Sequence, residues 1–196
     1  MNDTNYIIGI DEVGRGPLAG PVTVCAFCIS CEYEEEVFKA LGGITDSKKL
    51  SSQRREKYYE KITILEKQKY VQYAISHISA QVIDMKGITW SLETAIKRSL
   101  KKLNLPLKKC FIFLDGGLAA PDIYVQETVI KGDQKIWHIG AASVVAKVLR
   151  DRKMVKYSQK FPEYGFDKHK GYGTALHKEA IKKYGVLPIH RSTWIQ

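Results

Sequence analysis

The stretch GIDEVGRGPLAGPV, residues 9–22, sets two carboxylates side by side, Asp11 and Glu12, among four glycines and two prolines. It runs out of the apolar YIIGI (6–10) and into PVTVCAFCI (21–29). Both flanks are short, rich in β-branched residues and bounded by Gly or Pro, so both read as strands. Side chains alternate faces along a strand, so adjacent acids cannot address one site while the strand simply continues. Either one acid is left to solvent, or the chain leaves the strand at Asp11 and brings Glu12 round beside it. The glycines make the second course available, and it is the one expected.

A chain of 196 residues supports one good-sized core, and a single domain over 1–196 is expected. With 44% hydrophobic and 27% charged residues the composition is that of a folded globular protein. MNDTNY lacks a basic leader, and no apolar stretch nears the roughly 20 residues of a membrane span. A cytoplasmic location is expected. The net charge of +10 is uneven, because residues 131–196 carry 14 Lys and Arg against 5 Asp and Glu. A basic face of that kind attracts polyanions, nucleic acid first; a solvated surface kept for solubility is the alternative. Cys25, Cys28 and Cys31 have a metal-like spacing. The first two lie in a strand on opposite faces and no fourth ligand follows, so they read as small buried hydrophobes in a reducing compartment.

Further along, Ser51 or Ser52 caps a helix reaching about Leu65, and KYVQYAIS (69–76) is a strand. Residues 88–103 set Ile88, Leu92, Ala95, Ile96, Leu100 and Leu103 on one helical stripe. CFIFLDG (110–116) is a buried strand ending in an acid, and DIYVQETVI (122–130) a further strand leading to KGD. A helix over about 140–160 places Ser143, Lys147 and Arg150 on one face and Ala141, Val145, Val148 and Leu149 on another. A Gly-rich loop, EYGFDKHKGYGT, and a basic amphipathic helix complete a helical C-terminal part, about 140–196. The class is α/β, a mixed sheet flanked by helices.

Asp11 and Asp115 each end a buried apolar strand. If those strands are neighbours, both carboxylates and Glu12 meet at one sheet edge, and Asp133 of KGD is a candidate fourth. Like charges packed so closely stay ionised only with a cation among them. All-oxygen ligands suit Mg2+ or Mn2+, and two such ions about 4 Å apart would activate water against a phosphodiester. The acids could instead be caps or loop residues beside Gly turns. A metal-free pair of carboxylates for glycoside hydrolysis is a further alternative, but it leaves the basic last third unexplained.

With their neighbours, these residues resemble the type 2 ribonuclease H family, in its bacterial ribonuclease HII branch. The likeness runs in family order through GIDEVGRGPLAGPV, TDSKKLS, FLDG, IKGD, AASVVAKVLRDR, HKGYGT and PIHRS. It implies a ribonuclease H-like fold and cleavage of RNA in RNA–DNA hybrids. It also implies cutting 5′ of ribonucleotides embedded in duplex DNA, with 3′-hydroxyl and 5′-phosphate products. The four acidic positions of the family fall on Asp11, Glu12, Asp115 and Asp133. The Gly14-Arg15-Gly16 loop would touch the ribose 2′-hydroxyl, the group that separates RNA from DNA. Tyr172 would stack on the sugar beside the scissile junction. Lys48, Lys49, Ser143, Lys147 and Arg150 are candidate phosphate contacts.

The sister ribonuclease HIII carries Gly-Thr-Gly at the loop and typically an extra N-terminal domain, for which ten residues before Asp11 leave no room. Gly87, where relatives commonly have Asn, and the ending HRSTWIQ depart from the family pattern. No clamp-binding peptide and no obligate protein partner are expected, and the chain is expected to act as a monomer. A non-catalytic hybrid-binding module is the competing class.

Overall fold

The structure, a computed structural model, describes residues 4–42, 44 and 50–195. β1 (Tyr6–Val13) and β2 (Val22–Ser30) form an antiparallel pair, with Ile10 opposite Ala26 and Asp11 opposite Cys25. β3 (Val71–Ile78) adds antiparallel to β2. On the other side of β1 lie β4 (Cys110–Asp115) and β5 (Val125–Val129), both parallel to it in the order β3-β2-β1-β4-β5. The expected mixed sheet is therefore present, with its parallel half carrying the acids.

Helices cover both faces. α1 (Glu34–Leu41) ends at Gly42 in the left-handed region, and α2 (Ser52–Lys67) is capped by Ser51, whose side chain accepts from the Arg54 amide. Such a cap contributes about 1 kcal/mol. A short α3 (Ala80–Lys86), which the sequence reading passed over, is capped by Ser79 and leads into α4 (Ile88–Leu103). The stripe of α4 is buried as its period requires, with Leu92, Ala95, Ile96, Leu100 and Leu103 packed on Ile8, Ile10, Ile112 and Leu114.

The opposite face carries α6 (Trp137–Lys160), reached through the four-residue α5 (Gly132–Lys135). Every residue of α6 from His138 to Ala146 is buried. The apolar face expected from the sequence packs in the core with Ala141, Val145 and Val148, and over this half the face of Ser143 is buried too, because α6 meets the sheet on one side and α2 on another. Contact with β1 is close enough that a Cβ at Gly9 would stand 2.2 Å from the His138 carbonyl carbon.

Beyond α6 come α7 (Phe166–His169) and α8 (Ala175–Tyr184). Together with Ala19 and Met154 they build a third, smaller cluster around Tyr164 and Phe166. Cys25 and Cys28 are free, buried and on opposite faces, one in each main cluster, whereas Cys31 is exposed. Among the described residues, no helix is long and apolar enough to cross a membrane.

Candidate active site

The parallel ladder between β1 and β4 ends at Ile10 and Leu114, and the next residues are Asp11 and Asp115. By alternation both stand on the α6 face, since Ile8, Ile10, Ile112 and Leu114 belong to the α4 side. Glu12 has the opposite parity. Even so, one carboxylate oxygen from each of Asp11, Glu12 and Asp115 lies within 4.8 Å of the other two. The departure from the strand at Asp11 expected from the sequence does not occur: β1 runs on to Val13. Past Ile10, β1 has lost its β4 neighbour, and the extra methylene of Glu12 lets its carboxylate come round the sheet end.

Asp11 is buried and its Oδ1 accepts from the Glu12 amide at 2.7 Å. Burial pushes its carboxyl well above the ordinary range, and the charges of Glu12 and Asp115 push the same way. Hydrogen bonds from the Ser143 side chain and the Glu12 amide pull against them. Asp115 Oδ1 accepts from the Gly132 amide at 2.6 Å, which ties the end of β4 to the start of α5. Asp133, next along, is buried but stays outside the group of three. A hard, all-oxygen set with a carboxyl destabilised by like charge fits a divalent cation, which would offset that repulsion.

The loop after β1 is shaped by two buried arginines. Gly14 has φ +87°, and a Cβ on it would meet Arg150 Nε at 2.1 Å. Arg150 is fully buried and donates to the carbonyls of Pro21 (2.9 Å), Lys170 (3.0 Å) and Ala19 (3.3 Å). Arg191, equally buried, donates to the carbonyls of Arg15 (2.7 Å), Gly14 (2.5 Å) and Gly20 (3.2 Å). Gly16 has open space around its Cβ position. The Arg15 side chain is exposed, and its Nη1 lies 3.6 Å from Glu12 Oε1.

Residues 8–196 match the protein family described as Ribonuclease HII. The chain belongs to the ribonuclease HII family. A curated Ribonuclease HII from Coxiella burnetii (strain Dugway 5J108-111) is 41% identical over 189 residues, covering 96% of this chain and 87% of that protein. The ribonuclease HII of Archaeoglobus fulgidus, solved as a PCNA:RNase HII complex, superposes with a TM-score of 0.78 at 26% identity over 96% of this chain and 95% of that one. An Aquifex aeolicus RNase H3 structure has a TM-score of 0.68 at 17% identity, over 98% of this chain and 73% of that one. That last likeness is one of fold.

Set in the ribonuclease HII frame, the expected phosphate contacts divide. Lys48 and Lys49 lie outside the described residues. Arg150 is a correction: its guanidinium is spent on three carbonyls inside the protein. Ser143 is buried and hydrogen-bonds Asp11, so it too faces inward. On the face they share with Lys147, Ser143 and Arg150 are both buried. Lys147, partly exposed, pairs with Asp151 at 2.9 Å and borders a 650 Å3 groove between α2 and α6, with Arg55, Arg152, Lys156, Lys168 and Lys170 along it. Tyr172 is 41% exposed, its ring 6.0 Å from the Arg150 guanidinium. Sequence reasoning assigned no role to Arg191 or to the histidines beside it. The signal available was PIHRS, a quoted motif whose chemistry nothing had claimed.

Proposed function

We propose that this ribonuclease HII family member hydrolyses RNA in RNA–DNA hybrids and cuts 5′ of a ribonucleotide embedded in duplex DNA, leaving a 3′-hydroxyl and a 5′-phosphate. The observation that carries this reading is the convergence of Asp11, Glu12 and Asp115 within 4.8 Å at the foot of the Gly14–Gly16 loop. These three, with Asp133 beside them, would hold Mg2+ or Mn2+. Bound there, such ions supply an activated water and charge neutralisation at the phosphodiester.

The chain's own groups supply selection and alignment. Ser143 and the Glu12 amide orient Asp11, and the Gly132 amide orients Asp115. The small residues of the loop let main-chain donors approach a sugar hydroxyl, which a Cβ would hold off. Tyr172, exposed and resting above Arg150, offers its face to the neighbouring sugar. The groove beside Lys147 offers the duplex backbone six cations against the two acids Glu56 and Asp151, and such contacts position without reading sequence. The proposal has the protein working alone in the cytoplasm; the Archaeoglobus relative was solved with PCNA bound.

The deciding experiment incubates the pure protein with a duplex containing one ribonucleotide, with Mg2+ or Mn2+ and with chelator. Ion-dependent cutting 5′ of that nucleotide is expected. Binding without cutting in every ion would establish the non-catalytic module instead.

A further inference from the structure

The dipeptide His190-Arg191 touches both elements that the proposed function assigns to the sugar. From the Arg191 side, its guanidinium holds the Gly14 and Arg15 carbonyls at 2.5 and 2.7 Å. Its main chain joins the same loop, with the Arg191 amide donating to Leu18 O and the Gly20 amide donating to Ile189 O, both at 2.8 Å. In a planar trans peptide the carbonyl of one residue and the N–H of the next point in opposite directions. With the Gly14 and Arg15 carbonyls drawn inward to Arg191, the N–H groups of Arg15 and Gly16 are therefore turned away from the guanidinium.

His190 reaches the other element. Its Nδ1 accepts from the Leu187 amide at 2.8 Å, which places its proton on Nε2. That Nε2 lies 3.1 Å from His177 Nε2, which must then accept, leaving the His177 proton on Nδ1. The Nδ1–H donates to the Tyr172 carbonyl at 2.9 Å. One arrangement of protons satisfies the whole relay. His169, stacked on His177 with ring centroids 4.4 Å apart, accepts from the Gly171 amide and donates to the Tyr164 carbonyl. Gly171 in turn accepts from the amides of Leu18 and Ala19, so the Tyr172 loop and the glycine loop are bonded to each other and to one tail.

We infer that Arg191 is a positioning residue for ribose recognition, turning the loop amides toward the substrate sugar, while His190 sets Tyr172 against the same sugar through His177. The inference rests on the ribose-reading role proposed above for the loop and Tyr172, and adds what holds them in register. A lysine at 191 keeps the charge but has no planar fork to span two carbonyls.

The test compares dissociation constants for a duplex with one ribonucleotide and for the identical all-deoxy duplex, with Ca2+ replacing Mg2+ to hold both uncut. Their ratio is insensitive to the fraction of protein that is active, so a loss of folded protein alone does not move it. For Arg191→Lys the ribonucleotide preference should shrink about tenfold, the scale of one charged hydrogen bond, with all-deoxy affinity unchanged. His177→Phe, which keeps the ring stack and removes the donor to Tyr172, should shrink it in the same sense and decides the matter if Arg191→Lys does not fold. A folded variant with the wild-type ratio overturns the inference and leaves the proposed function standing. A wild-type protein without any ribonucleotide preference overturns both.

Discussion

Gly14 sits so tightly against Arg150 that a Cβ at residue 14 would stand 2.1 Å from the guanidinium Nε and 2.7 Å from the Pro21 carbonyl. The arginine cannot yield, because it is bonded to three carbonyls. Gly14→Ala should therefore cost about 3 kcal/mol of stability from strain and overpacking together, read by urea melts. Gly16 has no neighbour within 4 Å of its Cβ position. Gly16→Ala should melt within about 0.5 kcal/mol of the parent, and any cleavage it loses is lost at the substrate.

Asp115→Asn and Asp11→Asn should each lower cleavage by roughly a thousandfold while the protein stays folded. In the metal-free protein Asp11→Asn should raise the Tm, since burial, Glu12 and Asp115 all disfavour the charge it removes. Mn2+ should raise the parent's Tm, by about 2.7 kcal/mol of stability at a hundred times Kd, and should do little for Asp11→Asn. Normal turnover by folded Asp115→Asn in saturating Mg2+ would remove the acids from the chemistry.

Ser143 was expected to meet phosphate and instead meets Asp11. Ser143→Ala should raise the Mn2+ concentration giving half-maximal rate by about tenfold, as losses behind a metal ligand do. Duplex affinity should not change. If duplex affinity falls instead and the ion requirement holds, the phosphate role is the right one.

Tyr172→Ala should lose more activity on a single embedded ribonucleotide than on a long hybrid, because only the former presents one sugar step to stack on. Cleavage assays on both substrates measure the two losses side by side. Equal losses would reduce the ring to support for its loop.

Acid should unfold the protein early. Burial pushes His77, His138 and His177 down to about 4, and lowers His169 and His190 as well. Between pH 6.5 and 4 the unfolded chain binds protons that the folded one refuses, so stability falls as pH falls. For His138 and His177 the slope reaches at most about 1.4 kcal/mol per pH unit in that window, and it is smaller for the more exposed His77. Melting curves taken across this range should show it, and a flat Tm from pH 7 to 4.5 would contradict the neutral relay at His177 and His190.

Local chemistry along the chain determined the strands at YIIGI and CFIFLD, the Ser51 cap, the stripe of α4 and the acids at the strand ends, because period and capping are properties of neighbouring residues. What Arg150 and Arg191 do was decided only by the tertiary structure. A guanidinium at helical spacing from Ser143 looks alike whether it faces solvent or three carbonyls, two of them 129 and 131 residues away and one 20. Likewise the strand continues through Asp11 and Glu12, and their carboxylates meet Asp115 because the pairing of β1 with β4 ends at Ile10. Where a neighbouring strand ends is set by packing across the sheet, and no run of consecutive residues carries that information.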